Sequence, residues 1–99
     1  AMAGDKEPVA PSKTVRSFVR GQLQVCTVQR ESLFGTAIRH PTYYKNNWIV
    51  VQRYRTQLEA ELGHDKWVKV MTAGEMPMRL VEKVGKMLVV HQRVDQEEA

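Results

Sequence analysis

Ninety-nine residues with a single cysteine, three histidines and a formal net charge of +4 make one basic domain. A chain this short buries roughly 60–65% of its unfolded surface, enough for one modest core. Lone Cys26 excludes an internal disulfide and a Cys-rich zinc site, and no apolar run approaches the ~18 residues that cross a bilayer, so integral membrane insertion is not expected.

The charge is unevenly spread. Residues 13–93 hold 14 of the 15 Lys and Arg but only six acids, a balance of +8, while Asp5, Glu7, Asp95, Glu97 and Glu98 sit at the ends. Such a domain favours an acidic partner, whether nucleic acid, an anionic membrane surface or an acidic protein face. No signal-peptide pattern opens the chain, and the expected compartment is intracellular.

Residues 1–11 carry Pro8, Pro11 and little bulk, and read as a disordered leader. A basic helical domain is expected over 12–94, with an acidic tail at 95–99. Ser12 caps a first predicted helix whose apolar side holds Val15, Phe18, Val19 and Cys26, with Lys13, Arg16 and Arg20 opposite. Gly21 and the alternation from Leu23 to Thr27 leave a competing reading, a hairpin turning at Arg20–Gly21. A second, shorter helix is expected over 29–40 around Leu33, Phe34, Ala37 and Ile38, broken by Pro41.

Residues 41–63 give the longest helix-compatible stretch, with most of the aromatic rings. Tyr44, Val51, Leu58 and Leu62 cluster at 100° per residue, flanked by Trp48 and Tyr54, and Gly63 suits a stop. Ile49 is an apolar residue on its polar side. Residues 66–72 read as a short extended segment. A last helix over 77–94 places Leu80, Val81, Val84, Leu88 and His91 on one face. Arg79, Lys83, Lys86 and Arg93 then align opposite at spacings of four, three and seven. The expected fold is mainly α, a bundle of about four helices with one extended segment. The alternative is an α+β arrangement with a small hairpin or winged-helix-like form.

Catalytic chemistry finds little support. The three histidines share no metal-binding spacing, phosphate-loop and nucleophile-elbow motifs are absent, and Cys26 lies on an apolar face. No catalytic residue, metal site or cofactor is expected. The expected function is non-enzymatic binding of DNA or RNA, with phosphates contacted by Lys13, Arg16, Arg20, Lys45, Arg53, Arg79, Lys83, Lys86 and Arg93 on basic helix faces. Tyr43, Asn46 and Asn47 are further contacts, whereas Tyr44, Trp48 and Tyr54 are assigned to the core. The alternative is a protein-interaction or self-association domain presenting Tyr43, Ile49, Val89 and Val90. Burial of Ile49 would remove that alternative's main support.

Overall fold

Alternation, not helical spacing, organises the first half of the chain. In the computed structural model, which describes residues 12–94, β2 (Leu23–Arg30) turns Leu23, Val25 and Thr27 inward and Gln24, Cys26 and Val28 outward. β3 (Leu33–Arg39) does the same with Phe34, Thr36 and Ile38. The two strands pair antiparallel so that Val25 faces Ile38 and Thr27 faces Thr36. β1 (Ser12–Arg20) and β4 (Ile49–Tyr54) complete a four-stranded meander in the order β1-β2-β3-β4.

A single helix, α1 (Gln57–Thr72), crosses one face of this sheet, and a hairpin of β5 (Arg79–Val84) and β6 (Met87–Gln92) follows. The described residues are therefore mostly β, with 51% strand against 22% helix. The four-helix bundle is overturned, and the hairpin at residues 20–23 replaces the first predicted helix. Residues 29–40 hold a strand rather than a helix. The stretch 41–63 divides into a loop with one 3-10 turn (Tyr44–Asn46), a strand and the first half of α1. Residues 66–72, expected to be extended, form the second half of α1. The expected leader (1–11) and tail (95–99) lie outside the described residues.

Two local devices explain where the strands and the helix begin. Three of the hairpin links have two residues, with positive φ at the first: Gly21 (59°), Glu31 (58°) and Gly85 (61°). Glycine meets that requirement at no steric cost, and such two-residue links match the twist of the flanking strands. The helix starts at a cap. Thr56 accepts a hydrogen bond from the Glu59 amide at 3.1 Å, and the Glu59 carboxylate accepts from the Arg55 amide at 3.3 Å.

Gly63 does not end this helix. It sits at the point of closest approach to the sheet, directly above the Tyr54 hydroxyl, where a Cβ would overlap the ring. The core beneath the helix is built from Leu23, Val25, Ile38, Tyr43, Ile49, Met71 and Leu80, with Phe34, Tyr54 and Ala60 as a second group. Ile49 is thus fully buried, because strand alternation, not a helical wheel, sets its direction. Leu80 plugs the hairpin into the same core. Tyr43 donates to the Pro77 carbonyl at 2.6 Å, and Thr42 and Val94 exchange two hydrogen bonds, tying the β3–β4 loop to the end of the hairpin.

Replacing Gly63 by Ala should cost about 1–3 kcal/mol in denaturant unfolding through overpacking, despite the roughly 1 kcal/mol gain in helix propensity. Glu31→Gly should have the opposite sign, stabilising by up to about 1 kcal/mol because it releases a left-handed non-glycine backbone. Gly85→Ala should lose a similar amount.

Candidate nucleic-acid interface

The helix covers one face of the meander and leaves the other open. Strand alternation assigns Ser17, Val19, Cys26, Val28, Gly35, Ala37, Arg39, Val50 and Arg53 to that open face. Its centre is low and nearly neutral, floored by Ser17, Cys26, Gly35 and Ala37. A shallow depression lies at one end, lined by Val28, Arg30, Leu33, Gly35, Val50 and Arg53 among others, with Glu31, the one acid of residues 12–54, also in its lining. At the other end the Arg39 guanidinium stacks over the Trp48 ring, 5.5 Å from its centroid. Trp48 remains 43% exposed.

Charge divides along the same line. Residues 12–54, which contain the whole sheet, hold seven Lys and Arg against a single acid, Glu31. Glu59, Glu61 and Asp65 all belong to α1, on the covered side. There Glu61 and Asp65 hold Arg16 of β1, whose guanidinium lies 3.7 Å from Glu61 and 3.9 Å from Asp65. The open face carries Arg30, Arg39 and Arg53 with no acidic side chain on its strands.

The expected cations scatter across this architecture. Lys13, Arg16 and Arg20 lie along β1 and point toward the helix side. Lys45 occupies the left-handed turn before β4. Arg53 donates to the Lys83 carbonyl at 3.0 Å and links the open face to the hairpin. The predicted stripe on the last helix dissolves: Arg79 and Lys83 share the outer face of β5, and Lys86 sits in the turn. Arg93, past the end of β6, turns inward to donate to the Met76 carbonyl at 2.7 Å.

The aromatic and apolar candidates exchange places as well. Tyr43 is buried, with its hydroxyl raised in pKa by burial and opposed by Arg93. Trp48, assigned to the core, is the exposed ring. Of the residues expected at a protein interface, Tyr43 and Ile49 are inside, Val89 is half-buried and Val90 is exposed. Arg30, Arg39 and Trp48 were not legible as a group, since only the register of β2, β3 and β4 brings them to one face.

Beneath the helix lies a second polar arrangement, enclosed at Thr27, Thr36 and His64. Thr27 and Thr36 oxygens are 2.6 Å apart, Thr27 is 2.8 Å from His64 Nδ1, and Thr36 is 3.1 Å from the Tyr54 hydroxyl. Gln52 Oε1 extends the line, accepting from Trp67 Nε1 and Lys66 Nζ at 2.8 Å each. These groups satisfy one another and orient the helix on the sheet. Cys26 lies across the sheet from His64, its thiol pushed up by burial and partly offset by a hydrogen bond from Thr14. Among the described residues, no three of His, Cys, Asp and Glu gather as a metal site. Nor is any helix among them long and apolar enough to cross a membrane.

Comparison with protein-family models, curated proteins and solved structures finds no match to this chain.

Burial holds the His64 imidazole below its ordinary pKa of 6.5, with Asp65 opposing and Arg16 reinforcing. The folded state then binds fewer protons than the unfolded chain in the window just below that value. Its contribution to stability is complete above the unfolded pKa and is lost as pH falls through the folded one. Unfolding midpoints should therefore drop on acidification below neutrality, and His64→Gln should flatten that slope. Burial lowers His40 in the same sense, so part of the slope should persist in the variant.

Proposed function

We propose that the protein is a non-enzymatic nucleic-acid-binding domain that lays a single strand across the open face of the β1–β4 sheet. The observation that carries this reading is the charge of the uncovered face, where Arg30, Arg39 and Arg53 stand on strands that carry no acid. Phosphates placed along those arginines release counterions. The low floor of small side chains lets a sugar–phosphate backbone approach closely, and the exposed Trp48 ring offers a base a stacking partner. The ring is already polarised by Arg39. An unpaired strand suits this face better than a duplex, since stacking on Trp48 requires an unstacked base.

Intrinsic fluorescence of Trp48 and Trp67 gives the test. Titration with single-stranded DNA and RNA oligonucleotides should quench the emission, and affinity should fall with salt at a slope near −0.7 per phosphate engaged. Trp48→Ala should cost about 1–3 kcal/mol of binding and remove most of the quenching. Arg30→Ala should reduce the salt slope by about one contact. No quenching or mobility shift at low salt, with either nucleic acid, would overturn the proposal.

A further inference from the structure

Among the described residues the two sheets have four edge strands, β1 and β4 in one and β5 and β6 in the other, and their edges are treated differently. β1 is guarded by a bulge at Val15 and by Lys13, Arg16 and Arg20 along its length. The edge of β4 is covered by β5, against which Arg53 is bonded. β6 has neither protection. Its sequence, Met87-Leu-Val-Val-His-Gln92, contains no Lys, Arg, Pro or acid, its register with β5 is unbroken, and among the described residues it pairs with β5 alone.

The backbone of this edge can be assigned. In a two-residue hairpin the residues flanking the turn, Val84 and Met87, exchange both hydrogen bonds, so every second pair does likewise. The bond from the Arg93 amide to the Met78 carbonyl, at 2.7 Å, falls on the same alternation. Leu88, Val90 and Gln92 therefore direct their N–H and C=O groups away from β5. Their side chains share the outer face of the hairpin with Arg79, Val81 and Lys83. Val81, Val90 and Leu88 are 47%, 52% and 68% exposed, a line of apolar side chains that continues toward Val70 of α1. Among the described residues, Arg79 and Lys83 on this face meet no acid. Glu82 lies on the opposite face, 3.0 Å from His91.

We infer that β6 is a docking edge for an extended acidic protein segment, which adds as a third strand to the β5–β6 hairpin and turns both apolar and acidic side chains, at every second residue, to the outer face. Main-chain hydrogen bonds to Leu88, Val90 and Gln92 supply the pairing. Apolar side chains of the segment cover Leu88 and Val90. Carboxylates two residues to either side, on the same face, meet the field of Arg79 at one end and of Lys83 and the turn residue Lys86 at the other. This surface is distinct from the open face of the four-stranded sheet.

A fluorescent peptide Glu-Thr-Val-Thr-Val-Thr-Glu-Thr (the Val–Glu peptide), about eight residues long to match a typical strand, is the probe, and the same peptide with Lys for Glu (the Val–Lys peptide) is its counterpart. The Val–Glu peptide should bind, and amide exchange followed by NMR should slow at Leu88, Val90 and Gln92. Val90→Pro removes an outward amide without touching the β5 ladder and should weaken binding about tenfold. Leu88→Glu, which leaves the backbone unaltered, should weaken it as well. Absence of binding, equal binding of the Val–Lys peptide, or slowed exchange confined to other residues would overturn the inference. So would concentration-dependent protection of the same three amides in the protein alone, which assigns the edge to a second copy. Displacement of the peptide by a single-stranded oligonucleotide that protects those amides would overturn it in favour of nucleic acid.

Discussion

Where a helix crosses a sheet, the contact is ordinarily apolar. Here its midpoint is a line of hydroxyls. Thr27 and Thr36 face each other in register, fully buried, and neither has water available to it. Each must find partners inside the protein, at a penalty of about 1–3 kcal/mol for every group left without one. His64 from the helix and Tyr54 from β4 provide them. That requirement fixes the helix in rotation and in translation far more tightly than hydrophobic burial does, because an apolar contact tolerates sliding and a hydrogen bond at 2.8 Å does not. Gly63 is the steric counterpart, bringing the helix close enough for His64 to reach the sheet.

Fixing the helix on one side decides the character of the other. The helix brings Glu59, Glu61 and Asp65 with it, so the acids collect on the covered side, and the uncovered sheet keeps an almost purely basic complement. The basic open surface and the core are thus set by one choice of face. A strand slipped by one residue would send Thr27 and Thr36 to solvent and bury Cys26 and Ala37 instead.

Parts of this arrangement were readable in advance. The alternation from Leu23 to Thr27 and the glycine at 21 announce the first hairpin, and the chain follows them. Thr56-Gln-Leu-Glu59 is a capping signature inside a stretch otherwise read as continuous helix; it marks the true start of α1. The final segment misleads for a definite reason. Leu80, Val84, Leu88 and His91 recur at four and three residues, which satisfies a helix, yet Leu80 and Val84 also share one strand face. Gly85–Lys86 between two valine-rich runs tips the balance to a hairpin. The exchange of Tyr43 for Trp48 had no local signal, since it depends on the left-handed turn at Lys45 and Asn46. The charge balance of the domain was readable; its sidedness required the register.

The meander has a kinetic implication. Every strand pairs with its neighbour along the chain, and two-residue links join three of those pairs, so both sheets form from short-range contacts with little loop-closure entropy. The distant contacts are the helix on the sheet, Leu80 in the core, and the Thr42–Val94 clasp that spans 52 residues. A chain wired this way favours early hairpins and late closure. The seam formed last is then the one that holds the hairpin against the body of the protein, and in the native state it is also the place where the fold opens at least cost.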